Sequence, residues 1–522
     1  MKGLMMQMEI RRGHLALFAA LAVAFTGLGA SAAVGEKGFK NLFFDDQRLF
    51  MRENLRREMG HPEPIAAYQD PDYDTPLMSG QVFKCDDGKF RMVYMALVDG
   101  NVDYRGNVVG ADANGPKVRR NVAIALAESD DGVRFRPATP HLVSDPSWDL
   151  GELACVVEDR KAPKDERYKA LGCTKFIDAE FRHANYIMVS PDLIHWKKLG
   201  DVTWHEVGTE PITSCFWNPS QQAWTLLMRP QCGERRVGWS LTKDFRTFTP
   251  PQFCMQCDPE DEPLAELYGA LGFEYDGWYV ALPLIYGNQP QKAWWKGAEG
   301  TMIPHLAYSL NGTNFQRVFH EPFIDGSDEA LSALTGRTCP MVWPACARRD
   351  ADGSLLLYAV CDGFDHGRFF QGRRESWIVT YRLREDGFVK LVTEDPNRVS
   401  RVCTRENLWR GGELSVNLNC RGMATVAVLT PNNADSRKAN AMRCGAAGYS
   451  HNDCKPFVGD STHWTPTWAG GGLDRFKGRS LTFEIRFWNG EIYSISGDMT
   501  PMMYVQARQW DLFKADPYRA GW

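Results

Sequence analysis

The chain has 522 residues, of which 44% are hydrophobic and 24% are charged, a composition typical of a folded globular protein. A single hydrophobic core seldom extends over this length, so we expect two or three domains. The formal net charge is only -5 and the isoelectric point is about 6.2. These values exclude the strong overall positive charge of a typical nucleic-acid-binding protein.

Residues 1–33 are predicted to be an export signal. Arg11 and Arg12 supply the positive region, residues 15–28 are apolar, and the small-x-small sequence Ala-Ser-Ala follows. No segment reaches the ~20 uninterrupted apolar residues that a membrane span needs. We therefore expect a mature protein that begins near Ala33 and is secreted or periplasmic, exported by either the general or the twin-arginine route.

The mature chain repeats one short unit, a tight turn followed by an alternating strand. Asp, Asn or Gly form the turn, and apolar and aromatic residues then recur with a strand-like period. The five copies are "CDDGKFRMVYMA" (85–96), "KDERYKALG" (164–172), "NPSQQAWTLLMR" (218–229), "EYDGWYVALPLIY" (274–286) and "RDADGSLLLYAV" (349–360).

A second unit follows each copy and consists of a strand, a small residue, an Asp or Asn turn and an aromatic residue. Its clear copies are "ALAESDDGVRF" (125–135), "IMVSPDLIHW" (187–196), "GWSLTKDFRTF" (238–248) and "LAYSLNGTNF" (306–315). One period has room for four short strands and little helix, which is typical of a propeller blade. The sequence therefore predicts an all-β protein with a five-bladed β-propeller at 34–395, and a large irregular β-sandwich is the alternative.

The rhythm changes after about residue 395. The segments "ELSVNLNC" (413–420), "MATVAVLT" (423–430) and "SLTFEIRFWNGEIYSIS" (480–496) are predicted strands with a different spacing. Asn489-Gly490 in the last segment predicts a hairpin with a type I′ turn. We interpret residues 396–522 as a C-terminal β-sandwich domain.

Acidic residues flank several of the strands predicted to line the propeller channel. We expect these inner strands at 76–83, 153–158, 210–217, 267–273 and 339–346. The acids beside them are Asp72, Asp74, Glu158, Asp159, Glu206, Glu210, Asp261 and Glu266. Paired carboxylates are what glycoside hydrolysis requires, although Asp and Glu are also common as ordinary turn residues.

The sequence resembles the invertase/levanase-like glycoside hydrolases and their five-bladed relatives, and more closely a set of bacterial secreted glycosyl hydrolases of that superfamily. The matching features are "LFFDD" (42–46), the "SxDGxxF"-type turns and "DCKPFVGDSTHW" (453–464). The resemblance covers most of the mature chain. It implies a propeller followed by a β-sandwich, and cleavage of a glycosidic bond by acids on the first three blades.

The resemblance implies a role for one acid on each of these blades. Asp74 is expected as nucleophile or base, Asp159 as transition-state stabiliser or sugar anchor, and Glu210 as general acid. The matches are partial, because Glu and Arg flank Asp159 where the family has Arg and Pro, and Pro follows Glu210 where it has Cys. The family has an Asp three residues before a Gly, but this chain has Leu77 at that distance before Gly80. Asp74 lies three residues further upstream, so Asp45 or Asp46 is the alternative.

Five further residues are expected around these acids and are predicted to bind substrate. Aromatic rings can cover the faces of sugars, and charged groups can bind their hydroxyl or acidic groups. These residues are Glu266, Tyr268, Arg337, Trp343 and His366.

No cofactor and no metal site is predicted. The chain has no His-Glu-x-x-His motif and no loop with EF-hand spacing, although a structural calcium ion in the channel remains an alternative. Cys254 and Cys257 form the only CxxC among fourteen cysteines, and a local disulfide or buried thiols are expected there rather than zinc.

The sequence therefore predicts a secreted glycoside hydrolase that acts on a poly- or oligosaccharide, with no nucleic-acid partner and no membrane span. A non-catalytic carbohydrate-binding propeller and a glycoside phosphorylase are the alternatives. A phosphorylase would need a cluster of Arg, Lys or His beside the acid to hold phosphate.

Overall fold

The computed structural model describes most of the chain after residue 38. The described residues are 39–73, 80–97, 122–144, 148, 150–174, 185–202, 209–230, 234–288, 300–366, 375–430 and 444–502. Their regular structure is almost entirely β-strand, with one α-helix, α1 (Glu329–Thr335), and short 3-10 turns at Lys164–Glu166 and Leu473–Phe476. None of the helices in this part of the chain is long and apolar enough to cross a membrane.

Four strands precede the first blade. They are β1 (Phe39–Asn41), β2 (Leu49–Glu53), β3 (Leu55–Met59) and β4 (Glu63–Tyr68). The first three pair with strands from the C-terminal part of the chain, whereas β4 belongs to the last blade.

Three four-stranded antiparallel sheets then follow one another along the chain. The first contains β5 (Gln81–Lys84), β6 (Phe90–Leu97), β7 (Val122–Ser129) and β8 (Arg136–Leu142). The second contains β9 (Leu150–Glu158), β10 (Tyr168–Thr174), β11 (Asn185–Ser190) and β12 (Lys197–Val202). The third contains β13 (Thr209–Asn218), β14 (Ala223–Pro230), β15 (Val237–Thr242) and β16 (Gln252–Met255).

The fourth and fifth blades share one continuous sheet. Blade four is formed by β17 (Ala265–Tyr275), β18 (Trp278–Asn288), β19 (Gly300–Pro304), β20 (Ala307–Ser309) and β21 (Gln316–Arg317). Blade five is formed by β22 (Met341–Arg349), β23 (Leu355–Asp362), β24 (Ser376–Leu383) and the N-terminal β4. A single parallel bridge, Met302 to Met341, joins the two blades.

These five blades form the predicted propeller, and the antiparallel pairing β24–β4 closes it. Each inner strand is the first strand of its blade, and the five inner strands are β5, β9, β13, β17 and β22. They overlap the five segments expected from the repeat. The outermost strand of blade five is β4, which precedes blade one in the sequence. Its pairing with β24 therefore joins the N-terminal part of the chain to the last blade and closes the ring.

The inner strands β9, β13 and β17 run in the same direction along the channel. Lys161, just after β9, lies 5.4 Å from the ring centroid of Trp217 near the end of β13. The Tyr279 hydroxyl donates to Asn218, the last residue of β13, at 2.6 Å, and Tyr279 pairs with Glu274 near the end of β17. We call the face where these strands end the end face, and the opposite face, where they begin, the start face.

The remaining strands form one large sheet that folds into the predicted β-sandwich. They are β25 (Val389–Thr393), β26 (Ser400–Thr404), β27 (Asn407–Thr430), β28 (Cys444–Gly445), β29 (Phe457–Trp464), β30 (Ser480–Phe487) and β31 (Gly490–Pro501). The long strand β27 pairs with β28, β29, β30 and β31. The expected hairpin is present, with Asn489 at a positive φ of 47° in the turn between β30 and β31.

The sequence predicts a propeller domain at 34–395 and a β-sandwich domain at 396–522. This division in chain order remains a prediction. Strand pairing gives a different grouping for two segments. The strands β1 to β3 and the strand β25 belong to the large sheet, although both segments precede residue 396.

The large sheet contacts the end face of blades four and five. Lys40 of β1 forms ion pairs with Asp276 at 2.9 Å and with Asp386 at 2.8 Å. Asp276 lies in the turn that joins the first two strands of blade four. This contact leaves the start face on the opposite side of the propeller.

Candidate functional site

Four aromatic residues meet on the start face between blades four and five. The ring of Tyr268 lies 5.5 Å from Tyr286, 5.7 Å from Trp343 and 5.0 Å from His366, and Tyr286 lies 5.3 Å from His366. The rings meet edge to face, the favourable arrangement for aromatic pairs. We call these four residues the aromatic cluster.

The strands place the aromatic cluster near the start of the channel. Tyr268 is the fourth residue of β17, and Trp343 is the third residue of β22. The Tyr268 hydroxyl and Nε2 of His366 share a hydrogen bond of 2.8 Å, and the backbone N–H of His366 donates to Gly300. All four residues are at most 8% exposed, so they form a buried floor rather than an open stacking surface.

Two arginines lie against this floor. The guanidinium of Arg229, a residue that is 5% exposed, lies 4.5 Å from the ring centroid of Tyr268. The guanidinium of Arg235 lies 5.4 Å from the same ring and forms an ion pair with Glu266. Burial raises the pKa of Tyr286 to about 12, although the nearby charge of Arg235 acts in the opposite direction. The start face therefore combines a hydroxyl-bearing aromatic floor, two cations and a carboxylate.

Glu210 begins the inner strand of blade three beside this cluster. It is the second residue of β13, and its register partner on β14 is Arg229. The contact between Arg229 and Tyr268 therefore links the start of blade three to the aromatic cluster. The side chain of Glu210 lies outside the described part of the structure.

Arg337 lies at the edge of the start face rather than within the aromatic cluster. It precedes β22 and forms an ion pair with Glu375. Its guanidinium is also 5.0 Å from the ring of Phe364. The structure thus brings together Glu266, Tyr268, Trp343 and His366 and places Arg337 in the neighbouring connection.

A second polar group lies in the connection from blade five to blade one. The Asp70 side chain is fully enclosed and accepts hydrogen bonds from the Tyr94 hydroxyl at 2.5 Å and from the backbone N–H groups of Asp72 and Tyr73. Nε2 of His141 lies 3.1 Å from the same carboxylate. Burial raises the pKa of Tyr94, so this hydroxyl remains a hydrogen-bond donor.

Two groups of described residues could supply ligands to a metal ion. Ligand atoms of Asp70, Asp72 and His141 lie within 4.8 Å of one another, but Asp70 already accepts three hydrogen bonds. The second group contains Asp258 and Asp261 on the rim of blade four, where a guanidinium forms ion pairs with both carboxylates. Internal hydrogen bonds and ion pairs therefore explain both groups, and the expected calcium alternative remains a prediction.

Asp159 lies at the other end of blade two. It follows β9, and its carboxylate forms an ion pair of 2.8 Å with Lys169 and accepts the backbone N–H of Lys161. The adjacent Glu158 pairs with Arg167. At ~3.3 Å per residue, a nine-residue strand such as β9 separates its two ends by about 26 Å. The structure does not bring Asp159 together with the start of β13, because acids that follow an inner strand lie on the end face.

The first-blade acids are divided between two regions. Asp74, expected as nucleophile or base, lies outside the described residues. The alternatives Asp45 and Asp46 lie beside the large sheet, where Asp45 accepts the Tyr308 hydroxyl at 2.6 Å and Asp46 pairs with Arg57. Neither alternative contacts the aromatic cluster on the start face.

Sequence reasoning did not select three described residues of the start face, which are Asp70, Tyr286 and Arg235. Asp70 lies in the same acidic stretch as Asp72 and Asp74, and that stretch was a usable signal. Tyr286 was quoted within the fourth repeat but not singled out. Nothing in the local sequence distinguishes Arg235 from other surface arginines, because its role arises from contacts with Glu266 and the aromatic floor.

No protein-family model and no curated protein matches the chain. Among solved structures, the chain is similar to a β-1,2-mannobiose phosphorylase from Listeria innocua (12% identity, TM-score 0.42, 67% of this chain and 97% of that one). It is also similar to a structure described under the GH130 mannoside phosphorylases and hydrolases that target β-1,2 mannosidic linkages in Candida mannan (13% identity, TM-score 0.42, 63% and 94%). A third is a xylan β-1,4-xylosidase from Bacillus halodurans (10% identity, TM-score 0.39, 83% and 99%). Likeness at this level assigns no function.

Proposed function

We propose that this protein is a glycoside hydrolase that binds a poly- or oligosaccharide on the start face of its propeller. One observation carries the proposal. Glu210 is paired in register with Arg229, and Arg229 packs against the aromatic cluster between blades four and five. The start of the strand that carries Glu210, a buried cation and a hydroxyl-bearing aromatic floor therefore lie together where the inner strands begin.

This combination suits the recognition of a sugar. Sugar rings present both apolar C–H faces and hydroxyl groups, so their sites combine aromatic surface with a few oriented polar groups. Tyr268 and Trp343 would form the buried floor beneath the ring, while Arg235 and its partner Glu266 would bind hydroxyl groups. The hydrogen bond between Tyr268 and His366 fixes the orientation of both side chains.

The proposed chemistry is proton transfer by Glu210 to the oxygen of the leaving sugar. A second carboxylate is needed to attack the sugar or to activate water. We assign it to the connection 69–80, which contains Asp70, Asp72 and Asp74 and leads to the start face of blade one. Asp70 is enclosed by its hydrogen bonds, so its role is to position this connection, and Asp74 remains the proposed nucleophile or base.

The matched variants Glu210→Gln and Asp159→Asn test this assignment after purified protein has been screened against a panel of oligosaccharides. General acid catalysis contributes about 10²–10⁴-fold, so Glu210→Gln should lose turnover by that factor. Asp159→Asn should retain most activity, because its carboxylate lies on the end face in an ion pair with Lys169. Full activity in Glu210→Gln would refute the proposal, as would an equally large loss in Asp159→Asn.

A glycoside phosphorylase is the second candidate, and the cluster of Arg229, Arg235 and His366 favours it. Both guanidiniums lie within 5.4 Å of the Tyr268 ring, and a basic group of this kind suits a phosphate anion. The two candidates differ in their products. A hydrolase releases a free reducing sugar without phosphate, whereas a phosphorylase needs inorganic phosphate and releases a sugar 1-phosphate. Binding without either product would indicate the non-catalytic carbohydrate-binding alternative.

We also propose that residues 1–33 direct export and are then removed. The arrangement of a positive region, an apolar stretch and a small-x-small site supports this. Expression of the full chain in a bacterial host, followed by fractionation and N-terminal sequencing, should give a mature protein that begins near Ala33. Recovery of the uncleaved chain in the cytoplasm would contradict the proposal.

A further inference from the structure

A cavity of about 350 Å³ lies in the large sheet, separate from the start face of the propeller. It is located where β1 begins, where β26 leads into β27 and where β31 ends. Its lining combines two arginines with apolar and amide side chains, among them Phe39, Arg48, Arg405, Asn407, Met499 and Met502.

The fold places the two arginines directly opposite each other. Leu49 of β2 pairs with Thr404 of β26, and the next positions outward are Arg48 and Arg405. The backbone N–H of Arg405 donates to the carbonyl of Arg48 at 2.9 Å, which extends the antiparallel pairing by one residue. Like charges at opposed positions of antiparallel strands repel each other and destabilise the pair.

No carboxylate among the described residues forms an ion pair with either guanidinium. Asp45 is close enough to act on Arg48, but its carboxylate accepts the Tyr308 hydroxyl and the backbone N–H of Gln47. Arg48 lies 5.2 Å from the ring of Phe39. Burial lowers the pKa of the Arg48 guanidinium, Asp45 opposes this, and the neighbouring charge of Arg405 lowers the pKa further. An anion between the two guanidiniums would remove this repulsion.

We propose that this cavity is a binding site for an acidic sugar, held through its carboxylate or sulfate group by Arg48 and Arg405. A guanidinium presents parallel N–H donors that match the oxygens of such groups. Phe39, Met499 and Met502 provide the apolar surface that a sugar ring can cover, and Asn407 provides an amide for its hydroxyls. The choice of a sugar rests on the proposed carbohydrate function, whereas the choice of an anion rests on the two arginines alone.

Isothermal titration of the full mature chain tests this site with three probes of equal length. The probes are a trigalacturonate, a sulfated galactotriose and the neutral galactotriose. We expect at least one anionic probe to bind and the neutral probe not to bind. Binding of the first probe alone would identify a carboxylate ligand, and binding of the second alone a sulfate ester.

The variants Arg48→Gln and Arg405→Gln should each weaken binding about 10-fold or more, because each removes a charge-assisted hydrogen-bonding group. Arg56→Gln is the matched control, since Arg56 is half exposed on β3 and pairs with Glu58 outside the cavity. Its affinity should equal that of the unaltered chain. Unchanged thermal unfolding would show that the variants are folded.

The proposal is wrong if neither anionic probe binds, if the neutral probe binds equally well, or if both cavity variants bind like the unaltered chain. The titration is repeated in the Glu210→Gln background, where the affinity should be unchanged. Because this measurement needs no turnover, the titration still tests the cavity even if the hydrolase proposal fails. Failure of the cavity to bind likewise leaves the hydrolysis assay unaffected.

Discussion

Replacement of Lys40 by Met should uncouple the large sheet from the propeller. Lys40 is only 9% exposed. Its ammonium forms ion pairs with Asp386 at 2.8 Å, Asp276 at 2.9 Å and Glu385 at 3.4 Å. Asp386 also accepts hydrogen bonds from the hydroxyl groups of Tyr275 and Ser494, so it belongs to a buried network that joins blade four to the large sheet. Lys40→Met removes the cation and leaves the three carboxylates close together.

The expected loss is set by the charge that remains buried. Removal of one partner from a buried ion pair costs about 3–5 kcal/mol. Arg349 also pairs with Asp276 and Glu385 and compensates part of the remaining charge, so we expect about 3 kcal/mol, the lower end of that range. Burial acts to lower the pKa of Lys40, but attraction to Asp386 and Asp276 raises it overall. The stabilisation is therefore complete below the ordinary lysine pKa and is lost as the pH rises through the raised value.

Urea unfolding at neutral and alkaline pH, followed by tryptophan fluorescence, measures this loss. Lys89→Met is the control, because Lys89 is 40% exposed and pairs with Glu128 at the surface, where a salt bridge contributes about 0–1 kcal/mol. Lys40→Met should lower the free energy of unfolding far more than Lys89→Met at neutral pH, and the difference should shrink at alkaline pH. Equal effects of the two variants at neutral pH would refute the reasoning.

Three further predictions concern other parts of the molecule. Tyr268→Phe removes the hydroxyl bonded to His366 and should lower kcat/KM about 10-fold. The unfolding temperature should change little, since one hydrogen bond contributes about 1 kcal/mol. An unchanged kcat/KM would contradict this prediction. Hydrogen bonds to His451 and to two arginines lower the pKa of Glu484 from 4.5 to about 2, although burial acts in the opposite direction. Glu484 therefore contributes ~3 kcal/mol to the free energy of unfolding above pH 4.5, and this contribution is lost as the pH falls toward 2. Acid unfolding of Glu484→Gln should lack this dependence, and identical pH profiles would exclude it. The eleven described cysteines are free thiols, so alkylation of the denatured, unreduced chain followed by mass spectrometry should label all eleven, and a disulfide at any of them would contradict the structure.

The five blades were predictable because each blade repeats the same local signals. A turn residue and an alternating strand recur in every copy, and the inner strand immediately before each copy follows from that position. The closure of the ring was not predictable in the same way. Glu63–Tyr68 pairs with Ser376–Leu383 across the whole length of the propeller, and no local pattern marks such a distant partner.

The candidate site was predictable in part for the same reason. Tyr268 and Trp343 were selected because they lie on predicted inner strands, and the structure brings them within 5.7 Å. Asp159 was selected by family resemblance, without weighing the direction of its strand. It follows the second inner strand whereas Glu210 opens the third, so strand direction alone places the two acids on opposite faces.

The lengths of the connections give an independent reason to place function on the start face. On the end face the first two strands of a blade are joined by short turns, such as the one between Tyr275 and Trp278. On the start face the second and third strands are joined by longer segments, including 98–121, 289–299 and 363–375. Propeller strands alone need only short turns, so a long connection is an addition to the scaffold, and binding residues concentrate in such additions. His366 lies in one of these segments, which ties the aromatic cluster to the face that the chain has elaborated.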